Sequence, residues 1–432
     1  MPIFGRRQLH KMYDELSPSL NEQKATDLRQ RLESDDPDQS LPAEYELALT
    51  WGTSKATKIE IDRPAGSKRP DIYVPKLFGV GPAYMEVAAV SDGALAGTHL
   101  MRRAANIIGN TCQRIRRGSS RHLFYTFGET SGYVPIDPGR PLGTKFVRRR
   151  LVTQQFVMTE SIETMLRLWL SSDPPEKPLR IHNNEIGVDI SWREVVHKDF
   201  NTFCTMPALA YDIEDNPIYK RLLDKAGQLR DVPEGALRGV LLGDAGCGLL
   251  RDINSAMDHH SHSGKEIIHR ALEDSRLDFV VVFVPRHESL HAPWQHGNPR
   301  LWHMYFFRKD GRTTDEDFER FKEIRDVLPN PNYYGYQARS LHEQRVFDPQ
   351  RRGHYVVPKF TSGLGGIVDG RISVRALQEL LAGRIGQQEF NARALGKLNF
   401  FEIALGGGQT IKNIRFESQG VDEDDDYVVF EF

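Results

Sequence analysis

Cysteine is nearly missing from this chain: three residues in 432, Cys112, Cys204 and Cys247, far apart and without a CxxC pair. That excludes a disulfide framework and a cysteine-based zinc site, and it fits a reducing compartment. Long apolar runs are missing too. The longest β-like run, residues 279–284 (FVVVFV), falls far short of the roughly 20 residues that a membrane helix needs. The opening stretch MPIFGRRQLHKMYDEL has no signal-peptide apolar core. The expectation is a cytoplasmic protein with no membrane partner. Net charge is also close to absent, at −2. This excludes a globally basic surface and leaves room for a local basic face. There is no internal repeat and no nucleotide-binding fingerprint. Residues 243–248 (GDAGCG) follow a strand but fit neither GxGxxG nor a P-loop, and Gly264-Lys265 is followed by Glu266 without the first glycine. Asp244 reads as a turn acid, and Cys247 has no base partner in the sequence that would make it a nucleophile.

What is present is an ordinary globular composition, 39 % hydrophobic and 27 % charged, which sets the chain apart from disordered ones. The length suits two or three domains. Residues 1–40 read as an N-terminal helical segment, with apolar spacing at Leu9, Met12, Tyr13 and Leu16, then Leu20, Leu28 and Leu32. A linker-like break covers 34–40. A helix follows, capped by Ser40 with Pro42 near its first position. Leu41, Tyr45, Ala48 and Leu49 form its stripe, Glu44 lies at the stripe's inward edge, and Glu46 is expected in solvent.

Short β-branched and aromatic stretches then suggest strands at 58–63 (KIEIDR), 70–75 (PDIYVP) and 84–90 (YMEVAAV), followed by a helix over 98–117 and a fourth strand at 122–127. Strands and helices continue to alternate, with helices at 160–171, 218–230 and 264–271 and strands at 185–192, 239–242, 278–284 and 302–307. A basic cluster stands at 145–150 (KFVRRR). From about residue 300 the character changes, with an irregular stretch at 328–337, short helices at 374–382 and 387–395, and an acidic cluster at 422–426 before a last strand. That cluster reads as a solvated charge run, a guard over a basic face or a contact for a partner protein. The expected fold is α/β, a mixed central sheet flanked by helices over 41–310, with an insertion around 131–210 and a small C-terminal α+β module over 311–432.

The acids carry the chemistry. Adjacent strands lie about 5 Å apart, so Asp71 and Glu86 on neighbouring strands can converge on one divalent cation. Taken singly, Asp71 also reads as a turn acid and Glu86 as an edge acid facing solvent. A helix bearing Glu44, then Pro70-Asp71, then Glu86-Val87-Ala88, then helix and strand resembles the PD-(D/E)XK nuclease superfamily, over roughly residues 41–127 with support from 216–284. The resemblance implies a restriction-endonuclease-like core that cleaves phosphodiester bonds, with DNA as partner and a setting in bacterial defence or a mobile element. It implies Mg²⁺ or Mn²⁺ held by Asp71 and Glu86, with Glu44 as an outer ligand or water contact. The family places a lysine two residues after the second acid; here that residue is Ala88. Lys58 and Lys76 are the candidates to supply the ammonium. Gln113 would touch a bound phosphate or water, and Arg102, Arg103, Arg114 and Arg117, with Arg116, would lie along the nucleic-acid backbone. A catalytically silent subunit of the same fold, binding nucleic acid or acting as a scaffold, alone or as a homo-oligomer, is the alternative that Ala88 favours.

His287-Glu288-Ser289-Leu290-His291 also matches the HExxH zinc-hydrolase pattern, but a strand ends just before it and Pro293 follows. A second histidine cluster, residues 258–262 (DHHSH), reads as a polar loop or as a source of a third zinc ligand.

Overall fold

The computed structural model describes all residues except 1–2, 35, 79–80, 94–96, 138–139, 173, 195–200, 204–211, 257–260, 288–299, 310, 344–355, 357, 364, 384, 396–398 and 420–424. Three helices come first. In α1 (Arg6–Leu16), Leu9, Met12 and Leu16 are buried, the i, i+3, i+7 stripe of a helix with one wet face. In α2 (Glu22–Leu32), the Asn21 side chain accepts the Lys24 N–H at the N-cap. In α3 (Pro37–Ala56), the cap is Asp36 with Pro37 at the first position. The helix therefore starts earlier than Ser40, and Pro42 lies inside it. Buried residues line most of its circumference, so it is the central helix of its layer.

Strands β1 (Glu60–Ile61), β2 (Ile72–Phe78) and β3 (Gly81–Val90) form an antiparallel meander. The first is shorter than the 58–63 expected, because Asp62 takes a left-handed φ of 55° that breaks the strand. The chain then leaves the sheet. Helix α4 (Thr98–Ile115), strand β4 (Leu123–Phe127), the hairpin β5 (Glu129–Asp137) and β6 (Arg140–Arg150), helix α5 (Glu160–Trp169), and strands β7 (Leu179–His182), β8 (Gly187–Trp192) and β9 (Asn201–Phe203) follow. Here the expected fourth core strand forms, but in another place. β4 pairs with β8 and β9 in a second sheet of order β7-β8-β4-β9. Its core is Leu123, Tyr125, Phe127, Val188 and Ile190 against Ala104 and Ile108 of α4 and Ile162 and Leu166 of α5.

The return path is α6 (Pro217–Gln228), capped by Asn216, which leads into β10 (Leu237–Asp244). Then come α7 (Gly248–Arg251), α8 (Gly264–Glu273) with its Ser263–Glu266 capping box, β11 (Phe279–His287), β12 (Arg300–Arg308), α9 (Asp315–Val327) and α10 (Gly335–Glu343). The central sheet has the order β1-β2-β3-β10-β11-β12. β3, β10 and β11 are parallel and their neighbours antiparallel, so the sheet is mixed. The helix and strand that follow the meander in space are thus α6 and β10.

Side-chain alternation divides the sheet into two faces. Met85, Val87 and Ala89 pack with Leu9, Tyr45 and Leu49 of the first three helices and with Phe321 and Ile324 of α9. Tyr84, Ala88 and Val90 pack with Ile218 and Leu222 of α6 and Ile267 and Ile268 of α8. The protein is therefore an α/β molecule with helices on both faces of a mixed sheet. A further sheet, β13 (Lys359–Gly363), β14 (Gly366–Ser373), β15 (Asn413–Glu417) and β16 (Tyr427–Glu431), has the order β13-β14-β16-β15 and is covered by α11 (Val374–Leu381), α12 (Gln387–Phe390) and α13 (Phe400–Gly406). Of the acidic cluster, residues 422–424 lie outside the described residues. Asp425 is buried and accepts the N–H groups of Val356 and Arg375, and Asp426 pairs with Arg7 of α1 at 2.7 Å. No helix among the described residues is long and apolar enough to cross a membrane.

Two glycines of β10 set the fit between the layers. A Cβ at Gly239 would run into the Phe279 ring, and one at Gly243 into the Tyr45 ring. Gly239→Ala is expected to lower the unfolding free energy by about 1–3 kcal/mol, the cost of overpacking a dense core, measured by urea titration against Gly227→Ala, a site where a Cβ meets nothing.

Candidate functional site

The register of the meander brings the two acids together. Ile72 of β2 stands opposite Met85 of β3, so Asp71, one step before β2, stands opposite Glu86. Asp71 Oδ2 accepts the Val87 N–H at 2.9 Å, and the two carboxyl groups are close enough for each to shift the other's pKa. Two ammonium groups meet them. Lys225 Nζ of α6 lies 2.6 Å from Glu86 Oε2 and 3.7 Å from Asp71 Oδ2. Lys24 Nζ of α2 lies 3.2 Å from Asp71 Oδ1, 2.7 Å from Asp62 and 3.9 Å from Glu46. Glu46 is in turn paired with Arg31 at 2.8 Å, so it is not the solvated acid the helix pattern suggested. Lys225 reaches the site because it continues the buried stripe Ile218, Leu222, Lys225 of α6, the face laid against β3. Asp71 is the more exposed of the two acids, with 16 % of its side chain accessible against 3 % for Glu86.

The charges sort the two acids. Burial pushes the Glu86 pKa up, the Asp71 charge adds to this, and the opposing Lys225 charge does not cancel it; the result is about 8. Burial raises Asp71 as well, but the charges of Lys225 and Lys24, with the Val87 N–H, outweigh it and leave its pKa lowered. One proton is thus retained near neutral pH, on Glu86, and the pair titrates as a unit. Burial opposes the Lys24 charge, yet Asp71, Asp62 and Glu46 outweigh it and raise its pKa.

The other residues named from the sequence fall elsewhere. Glu44 is buried on the opposite face of the sheet, where its Oε2 accepts the N–H groups of Ile3 at 3.0 Å and Phe4 at 3.1 Å. It anchors the N-terminal segment at Ile3 and Phe4 and does not join Asp71 and Glu86. Lys58, ahead of β1, and Lys76, in β2, are exposed; the ammonium groups at the carboxylates are those of Lys225 and Lys24. Ala88 is buried among apolar side chains on the α6 side, so the position two after Glu86 faces packed core. The residues of α4 serve the second sheet. Arg103 donates to the Gln154 carbonyl at 2.6 Å and Arg114 to Thr111 Oγ1 at 3.1 Å. Gln113 accepts from Gly118 N at 2.9 Å and Ser120 Oγ at 3.1 Å, closing the turn after the helix. The Arg102 charge acts on Asp38, and Arg117 is exposed beyond the helix end.

The zinc pattern begins on a strand. His287 is the last residue of β11, and Glu288–His291 lie outside the described residues, as do residues 258–260 of the other histidine cluster; His262 is 3.6 Å from Glu266. Among the described residues no group of three or more His, Cys, Asp and Glu side chains is gathered as a metal cage. A pair of carboxylates is a different donor set, and it is the one Mg²⁺ ordinarily uses, with water and phosphate filling the remaining positions.

A second pair of buried acids closes the ends of the parallel strands. Asp244 Oδ1 accepts the N–H groups of Gly246 at 2.8 Å and Cys247 at 2.6 Å, which makes it the turn acid expected from the sequence. Asp92 Oδ2 accepts from Gly248 N at 2.7 Å and from the Tyr336 hydroxyl. Arg339 joins Asp38 at 2.7 Å and Ser91 at 2.9 Å. Burial raises the pKa of both acids, of Asp244 to about 7. Cys247 is buried in the same network, which pushes its thiol pKa up and away from nucleophile chemistry.

Two outcomes follow for the acids. Because the folded pKa of Glu86 is raised above its ordinary 4.5, its contribution to stability is complete below pH 4.5 and is lost as the pH rises to about 8. Glu86→Gln is therefore expected to melt above the parent at pH 9, by at least on the order of 1 kcal/mol, with the difference vanishing at pH 4.5. Glu44→Ala, which strips two buried N–H groups of their acceptor, is expected to cost about 2–4 kcal/mol in urea titrations without changing divalent-cation binding. Set against protein-family models, curated proteins and solved structures, the chain matches none of them.

Proposed function

We propose that this chain hydrolyses phosphodiester bonds in nucleic acid, with DNA as the favoured substrate, using Asp71 and Glu86 to hold a divalent cation and Lys225 as the ammonium that faces the developing charge. One observation carries the reading: Lys225 Nζ stands 2.6 Å from Glu86 and 3.7 Å from Asp71. The PD-(D/E)XK pattern puts a lysine beside this acid pair, and α6 supplies one where Ala88 has none. The order in space supports it further: α3, the meander β1 to β3, α6, and β10 parallel to β3.

Mg²⁺ or Mn²⁺, when bound, supplies Lewis-acid polarisation of a phosphoryl oxygen and a lowered pKa for water. The chain does the rest. The Val87 N–H fixes the Asp71 carboxylate so that its orientation does not depend on the ligand. Asp71 and Glu86 would hold the cation, whose charge would favour the ionised form of Glu86, with the proton passing to solvent. Lys225, held by its helix beside the carboxylates, would offer donors to the nucleophile and to the transition-state oxygens. Lys24 would retain Asp62, 2.7 Å away, as a partner with the cation bound.

The silent-subunit reading rests on one feature, the engagement of Asp71 on both oxygens by Lys24, Lys225 and the Val87 N–H. Incubation of labelled DNA and RNA with Mg²⁺ or Mn²⁺ separates the two. Cleavage is expected with either metal, at least 100-fold less in Asp71→Asn and Lys225→Met, and none with chelator. No cleavage under any of these conditions, or cleavage indifferent to chelator and to Asp71→Asn, rejects the assignment. Mn²⁺ affinity, read by calorimetry, is expected to rise with pH up to about 8 in the parent protein and to lose that slope in Glu86→Gln.

A further inference from the structure

Among the described residues, the second sheet has one covered face and one open face. Leu123, Tyr125 and Phe127 of β4 and Val188 and Ile190 of β8 are buried against α4 and α5. Alternation along the strands sends Phe124, Thr126, Asp189 and Ser191 to the other side. There a cleft of about 400 Å³ is lined by Thr126, Lys177, Pro178, Arg180, Asp189 and Ser191. Its one acid is already engaged: Asp189 lies 3.6 Å from Arg180 and 2.9 Å from His182. Arg180 nonetheless keeps 79 % of its side chain exposed, and Lys177 is exposed as well. Beside the cleft, the Arg193 guanidinium lies over the Phe124 ring, 3.6 Å from its centroid.

This is a particular set of groups. Two exposed cations flank two hydroxyls on a flat strand surface, with an aromatic ring and a guanidinium plane next to them. Cations and hydroxyls contact phosphate and sugar, and aromatic and guanidinium planes stack on bases that are not paired. The volume lies near the low end of the roughly 300–1,000 Å³ typical of ligand cavities, which suits one nucleotide at a time and not the width of a duplex. We infer that the open face of the second sheet binds single-stranded nucleic acid, with Lys177 and Arg180 on the phosphates, Thr126 and Ser191 on the sugar-phosphate edge, and the Arg193–Phe124 pair as the stacking platform. The inference deepens the phosphodiesterase reading by giving its substrate a second point of attachment, away from the acid pair.

The test is fluorescence anisotropy of labelled single-stranded DNA, single-stranded RNA and a duplex of equal length, in chelator so that no cleavage occurs. Expected are tighter binding of single strands than of the duplex and weakening with salt. Lys177→Glu/Arg180→Glu should weaken single-strand binding at least tenfold and flatten the salt dependence by roughly 0.7 in log–log slope for each phosphate that the protein no longer neutralises. Arg193→Ala should weaken it with the salt slope unchanged. Thermal melts of both variants should match the parent, since the altered side chains are at the surface. Unchanged affinity in the double variant, or a duplex bound as tightly as the single strand, overturns the inference. Because the assay runs without metal, it reads this face alone: retained binding without cleavage in Mg²⁺ counts against the catalytic reading only, and cleavage with unaltered binding in the double variant counts against this face only.

Discussion

The contact between Lys225 and the acid pair of Asp71 and Glu86 is the constraint on which the core's arrangement turns. It joins a helix on one face of the sheet to the antiparallel meander, and it does so in a place where burial penalises every charge involved. Buried ion pairs of this kind add little net stability, because desolvation offsets the attraction, yet removing one member leaves an uncompensated charge. Lys24 extends the constraint to the other face, since α2 belongs to the layer of Leu28 and Leu32 while α6 belongs to that of Ile218 and Leu222. The acids are thus gripped from both layers at once. Such an arrangement orients side chains more than it stabilises the fold, and orientation is what a catalytic or ligand-binding group needs.

Around this point the rest is ordinary packing with polar fasteners at its edges. Glu44 ties down Ile3 and Phe4 under the first layer. Asp244 and Asp92 tie the loops after β10 and β3 to each other and to α10. Each carboxylate satisfies backbone N–H groups that would otherwise be buried without acceptors. Carboxyl groups therefore do two different jobs in one layer architecture, charge pairing at Asp71 and Glu86 and backbone fastening at Glu44, Asp92 and Asp244, and the environment decides which.

Much of this was legible in the sequence. The short β-branched runs around Asp71 and Glu86 located the meander, and the expected pairing of neighbouring strands placed the two acids side by side. The apolar run at 279–284 and the capped helices at 217 and 264 also carry local signals strong enough to read. What escaped depends on long-range pairing. Residues 122–127 look like a strand and are one, but nothing local says that β8 and β9 are its neighbours instead of β3. Glu44 lies at the edge of an apolar stripe, and only the three-dimensional packing shows that the stripe's near neighbour is the N-terminal backbone. Lys225 had a faint signal, a lysine in register with Ile218 and Leu222, where a solvated residue would break the stripe. Lys24 had none, because its partners Asp62 and Asp71 come from a separate part of the chain.

The long excursion between β3 and β10 has a consequence for how the molecule is made. These strands are adjacent in the sheet, yet α4, α5 and the whole second sheet are synthesised between them. Glu86 leaves the ribosome long before its counter-charge does, so the acid pair waits as an unfinished edge until Lys225 emerges. The intervening unit has its own apolar core and can collapse first, shortening the loop that must close. Closure of β10 on β3 is then the late, topologically costly event, and the acidic centre comes into being only when the two halves of the sheet zip together.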